Sequence, residues 1–219
     1  LIWVVLASVG EAVQAPCDAP GGDPSRIVLF DGQSLNGWKP APFPGAGKVE
    51  VDNGVILLNE GNAMTGITST RRDLPTSDYE LIYEAMRRSG SDFFAAATFP
   101  VMKTHITLVN GGWGGTVTGL SSINGADASE NETSQYHKYQ AGTWYRFRVR
   151  VTDRMIRCWI DEKEIITLNH DGLNLGTRIE TNANKPLGFA TWETSGALRK
   201  IEIRKLTPDE IAATNRSDG

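Results

Sequence analysis

The sequence predicts an all-β domain: two antiparallel sheets packed face to face, or a sheet closed into a barrel. Three observations predict it. Trp144 to Val151 alternates Tyr145, Phe147, Val149 and Val151 against Arg146, Arg148 and Arg150, a pattern that gives a strand one dry and one wet face. Asn53-Gly54 lies between two short apolar runs and supplies the positive φ values of a tight hairpin turn. Turn residues separate short strand-like runs elsewhere, and only one segment carries good helix signals.

Taken in order, LIWVVLASVGEAVQA is an apolar run that fades into small residues, with Val13 and Ala15 at the positions a signal peptidase reads. Residues 1–15 are therefore expected to be a truncated signal peptide, too short to span a bilayer, cleaved after Ala15. Residues 16–25 are rich in Pro, Gly, Asp and Ala and are expected to be a linker. Order is expected from Arg26, with a strand over Ile27 to Phe30. Pro40, Pro42 and Pro44 then argue against regular structure. Val49 to Val51 and Val55 to Leu58 form the Asn-Gly hairpin. Tyr79 to Met86, Phe93 to Val101 and Lys103 to Val109 read as strands, the last half-buried because Ile106 and Leu108 alternate with His105 and Thr107. After Trp144 to Val151, Met155 to Ile160 and Glu164 to Leu168 pair around Asp161, Glu162 and Lys163. Leu187 to Trp192 and Leu198 to Leu206 complete the strands of the 26–206 domain. Thr207 as N-cap, Pro208 at the first helical position and Glu210 three residues after the cap announce a short helix and tail over 207–219.

At 219 residues and 40% apolar content the chain can build one sizeable core. A net charge of -4 leaves no basic surplus for phosphates, so neither nucleic acid nor, for the mature form, a membrane is an expected partner. Neutral solutes such as carbohydrate fit better, in a secreted or periplasmic setting. Two cysteines, Cys17 and Cys158, make no disulfide framework, and Cys158 reads as a small buried hydrophobe. His105, His137 and His170 match no metal spacing, no phosphate-binding loop is present, and Ser121 and Ser122 lack a nucleophile-elbow context. No metal and no cofactor is expected. The arginines of Trp144 to Val151 are expected on a solvated sheet face.

The candidate site is the stretch from Asn110 to Thr133, NGGWGGTVTGLSSINGADASENET. Gly111, Gly112, Gly114 and Gly115 flank Trp113, and glycine suits positive φ or the close approach of another surface. A pyranose is such a surface: its apolar face lies well on an indole. Asp127, Glu130 and Glu132 offer acceptors and proton-transfer groups nearby. The same residues also read as a Gly-rich bend with a packed Trp and an acidic turn.

The segment RIVLFDGQSLNGW, from Arg26 to Trp38, resembles the opening signature of the 3-keto-disaccharide hydrolase family, formerly a domain of unknown function. The resemblance continues through DYELIYEAM, WYRFRVRV with RCWIDEKEI, and PLGFATWETSGALRKIEIRKL. It implies a concanavalin A-like β-sandwich, or jelly roll, of two curved antiparallel sheets with a concave face that holds carbohydrate. It also implies cleavage of 3-keto-disaccharides or 3-keto-glycosides. A 3-keto group acidifies the C2 proton, so the C1 bond can break by elimination. Such a route needs a base near C2, an acid near the leaving oxygen and donors near the keto oxygen. Glu130 and Glu132, at a spacing that shares a face in extended chain, are candidates for base and acid, and Asp127 for a hydroxyl. Trp113 and Trp192 are stacking candidates, with Asn131, Asp92 and His105 as further substrate contacts. The competing classes are a non-catalytic carbohydrate-binding module and a structural or adhesion domain.

Overall fold

The computed structural model describes residues 25–216. The expected signal peptide, its cleavage site, Cys17 and all but the last residue of the linker lie outside the described residues. The architecture is the expected sandwich of two antiparallel sheets. One has the order β13 (Lys163–Asn169), β12 (Met155–Ile160), β11 (Trp144–Val151), β6 (Tyr79–Gly90), β15 (Thr194–Lys205), β4 (Val55–Leu58) and β3 (Val49–Asp52), with β1 (Arg26–Val28) also on β15. The other runs β10 (Gln135–Tyr136), β9 (Val117–Ser121), β8 (Thr104–Gly112), β7 (Phe94–Val101), β14 (Gly188–Trp192), β5 (Met64–Ser69) and β2 (Trp38–Pro40).

The dry face of β11 points between the sheets. Phe147 and Val149 are fully buried and lie opposite Tyr83 and Leu81 of β6. The Tyr83 ring stacks on Phe147 at 5.0 Å and meets Phe189 of β14 edge-on at 4.9 Å, so three aromatic rings join the layers. One buried amide also crosses the gap: Asn110 Nδ2 on β8 donates to the Tyr83 hydroxyl and to the Ala95 carbonyl, both at 3.0 Å. Cys158 is free and buried in this core, and burial pushes its thiol well above the ordinary range, so it packs as an apolar side chain.

The opposite face of β11 departs from the expected solvated surface. Arg146 is exposed, but Arg148 and Arg150 are half-buried around Glu80 of β6, which is only 2% exposed. Glu80 accepts from Arg150 Nε at 2.7 Å, from Arg204 Nε at 2.8 Å and from Arg148 at 3.4 Å. Arg148 and Arg150 both lie over the Trp159 ring. The sheet pairs β6 with β11 on one side and β15 on the other, which gathers arginines from both neighbours around one acid. The terminal helix α1 (Pro208–Thr214) has the expected capping box, and its Glu210 takes both ends of Arg204.

Four strands were not expected, one of them the two-residue β10. β2 forms despite Pro40, on a sheet edge where a missing N–H is tolerated. β9 falls inside the stretch read as a bend. β5 carries a single large core side chain, Ile67, and so shows no apolar alternation. β14 and β15 belong to different sheets yet are separated by Glu193 alone, whose φ of 41° turns the chain from one layer to the other.

Candidate functional site

The outer face of the seven-stranded sheet holds an open cleft. Period-two alternation supplies its floor: Met64, Ala96, Thr107, Val109 and Ser121 face out, while Ile67, Ala97, Leu108 and Leu120 face the core. Most of the floor side chains are short, which leaves room above the sheet. Two groups of side chains rise around it.

The first is aromatic. Trp113, in the β8–β9 connection, is 43% exposed with a left-handed φ of 49°. Trp192 ends β14 and packs against Phe93 with centroids 6.4 Å apart. Asp92 serves this group from below: its carboxylate accepts from Gly114 N at 3.2 Å and from Phe93 N at 2.8 Å. The glycines beside Trp113 do admit a close surface, but that surface is the protein's own. A Cβ at Gly111 or Gly115 would lie 2.9 Å from the Arg87 guanidinium.

The second group is charged. A 3-10 helix, Ile179–Asn184, is fastened to the sheet by Asn184 Nδ2, which donates to Ile67 O at 3.0 Å and Phe189 O at 3.2 Å. Thr107 Oγ1 donates to Thr181 Oγ1 at 3.2 Å. This places Arg178 just ahead of the helix, with Nε and Nη2 each 3.2 Å from the Glu180 carboxylate and Nη1 on Asp127. Asp127 also accepts from Ser121 Oγ at 3.3 Å. The Arg178 hydrogen bond and a backbone N–H hold the Glu180 carboxyl below its ordinary range, so it is ionised at neutral pH. The Glu180 hydrogen bond raises Arg178 in turn.

The family model of the 3-keto-alpha-glucoside-1,2-lyase-like domain matches residues 25–204. The chain belongs to this family. No curated protein matches it by sequence. Solved structures share the fold of this lyase-like domain at low identity. A transglycosylase in complex with NAG aligns with a TM-score of 0.57 at 13% identity, over 84% of each chain. A carbohydrate binding module from Bacillus subtilis gives 0.51 at 12%, over 77% of this chain and 96% of its own. A beta-1,3-glucanase from Mycobacterium marinum gives 0.51 at 13%, over 85% of this chain and 99% of its own.

Within the lyase-like domain, Trp113, Trp192 and Asp92 line the cleft, and Asp127 joins it through Arg178. Glu130 and Glu132 are exposed on the following turn and are not among the lining residues. Asn131 points back into the protein, where Nδ2 donates to Leu120 O at 2.7 Å and to Asp127 O at 2.8 Å, bracing the Asp127 turn. His105 lines a separate groove with Arg71, Arg72 and Lys103; burial and Lys185 push its pKa down. His137 packs on Tyr139 at 4.5 Å. Among the described residues no three His, Cys, Asp or Glu side chains converge as a metal site. Sequence reasoning missed Arg178, Glu180 and Thr181. Their only local signal was an Arg-x-Glu pair in a polar stretch without periodicity.

Proposed function

We propose that this domain is an exported carbohydrate-active enzyme that cleaves the glycosidic bond of a 3-keto-glycoside in the cleft. The carrying observation is the meeting, in one cleft, of two indoles with an arginine bracketed by two carboxylates. The apolar face of a pyranose is assigned to Trp113, the keto oxygen to Arg178 and the C2 proton to Glu180. When Glu180 takes that proton, the C2–H electron pair forms a C2=C3 enolate whose oxyanion Arg178 holds, and as the C3=O bond re-forms the pair moves to C1=C2 and the C1–O bond breaks. The same carboxyl then returns the proton to the leaving oxygen, and addition of water across the double bond completes hydrolysis. Asp127 holds Arg178 in place. Glu130 and Glu132, one turn away, are the proton-transfer groups for a substrate that reaches past Asp127. Export is inferred from the apolar N-terminal run; among the described residues no helix is long and apolar enough to cross a membrane.

A carbohydrate-binding module is the second reading. It is favoured by the prior engagement of Asp92 and Glu180, the carboxylates that line the cleft. Incubation with 3-keto-trehalose beside trehalose, with product analysis, separates the two. Cleavage of the keto sugar alone supports the enzyme, binding without turnover supports the module, and neither outcome leaves the cleft without a carbohydrate role.

A further inference from the structure

We propose that Arg87, outside the cleft lining, is the positioning residue that holds Trp113 as a saccharide platform; this rests on the carbohydrate reading of the cleft. Arg87 stands on β6 beneath the Gly111 to Gly115 segment and is 7% exposed. Its Nη2 donates to Gly115 O at 2.9 Å, and its guanidinium carbon lies 5.3 Å from the Phe94 ring centroid and 5.9 Å from that of Tyr139. The Tyr139 hydroxyl is itself bonded to Thr118 Oγ1 at 2.7 Å, which fixes the layer under the loop.

For stability alone this is a poor use of a cation. Among the described residues no carboxylate lies within ion-pair distance of Arg87, and its buried Nε has no hydrogen-bond partner. Burial accordingly pulls its pKa down. A half-satisfied buried guanidinium is commonly neutral or destabilising against an apolar side chain of similar shape. What it supplies is geometry. Asp92 grips the loop at Gly114 N, Arg87 grips it at the next carbonyl, and Gly111 on the other flank of Trp113 abuts the same guanidinium. Trp113 itself occupies the left-handed region, which a side chain enters at a cost and keeps only when its surroundings enforce it. The clasp fixes the loop on both sides of the indole, which stands free beside the cleft. A platform ordered in advance avoids an ordering cost on binding, roughly three- to tenfold in affinity for one large side chain.

The test is a double-mutant cycle on the full domain, with Kd measured for trehalose and for 3-keto-trehalose alongside the melting temperature. Arg87→Met is expected to raise Kd about three- to tenfold while leaving the melting temperature unchanged or higher. In a Trp113→Ala background the same change is expected to have no further effect on Kd, because the residue it positions is gone. Normal binding by Arg87→Met beside weak binding by Trp113→Ala overturns the clasp and leaves the platform standing. An equal Arg87 effect in both backgrounds shows that it acts through the fold and also overturns the clasp. Normal binding by Trp113→Ala removes the platform itself, and the inference with it. Should the Met variant not fold, Arg87→Lys, which keeps the charge without the fork, is expected to fold and bind less tightly. Wild-type binding by it, or failure of both variants to fold, overturns the proposal.

Discussion

Replacing Arg178 with Met separates chemistry from stability at the site. The side chain is 41% exposed and pairs with Asp127 and Glu180, which are 25% and 39% exposed. Pairs this wet contribute about 0–1 kcal/mol each, so two together set a loss of at most about 2 kcal/mol. For a domain of this size that is a fall of at most roughly 4–8 °C in melting temperature. Loss of a preorganised donor at a developing oxyanion instead costs about 100- to 1000-fold in turnover. A second readout follows from the Glu180 carboxyl, which Arg178 holds below its ordinary range. Without the arginine its pKa rises, so the acid limb of the rate profile moves to higher pH and activity at mildly acidic pH falls disproportionately. Initial rates on 3-keto-trehalose across pH 4 to 8, with thermal melts of both proteins, measure all three. Turnover within about threefold of wild type, with an unshifted acid limb, would refute the assignment of Arg178 and Glu180.

Further outcomes are expected elsewhere. Glu80→Gln removes the buried carboxylate that Arg148, Arg150 and Arg204 share, and is expected to cost about 3–5 kcal/mol in denaturant unfolding, against under about 0.5 for exposed Arg146→Ala. Glu210 has its carboxyl lowered from 4.5 to about 2, chiefly by its hydrogen bond to Arg204. Its depressed folded pKa means that its charge stabilises the fold above the unfolded value and that this contribution is lost as pH falls toward 2. The stability gap between wild type and Glu210→Gln is therefore expected to be full at pH 6 and to shrink below about pH 4.5. Glu130→Gln and Glu132→Gln are expected to melt as wild type; a loss of turnover in either would move the proton transfer out of the cleft to that turn.

The frame was legible where local pattern and tertiary environment agree. Trp144 to Val151 showed its buried face because Tyr145, Phe147, Val149 and Val151 all meet the other sheet, and α1 announced itself through Thr207, Pro208 and Glu210. β5 was hidden because Met64, Gly66 and Thr68 face a cleft and a neighbouring backbone, so neither of its faces shows an apolar pattern. The site was half legible. Trp113 and Asp127 stood out by composition, whereas Arg178 and Glu180 gain meaning only when the 3-10 helix lies across β5, β8 and β14, a placement set by Asn184 and Thr181 through contacts distant in sequence. The glycine cluster was rightly read as a close approach, but the approaching group, Arg87, comes from a strand over twenty residues earlier, which no local pattern reveals.

The single-residue passage through Glu193 bears on how this domain can be cut and rebuilt. Most sandwich connections are slack enough to accept extra residues, but here Trp192 and Thr194 are both hydrogen-bonded into their own layers, and Thr194 Oγ1 also receives Asp92 N. An inserted residue at 193 would have to bulge outward beside the cleft or slide one layer against the other, shifting Trp192 relative to Asp92. The Asp161-Glu162 turn is tied to Arg146, with Asp161 N donating to its carbonyl at 2.6 Å and Asp161 Oδ1 accepting from its N–H at 3.0 Å, but it belongs to the other sheet, away from the cleft. Fusions, new termini and library diversity therefore belong at that turn, and position 193 serves as a fixed hinge pin about which loops can be exchanged.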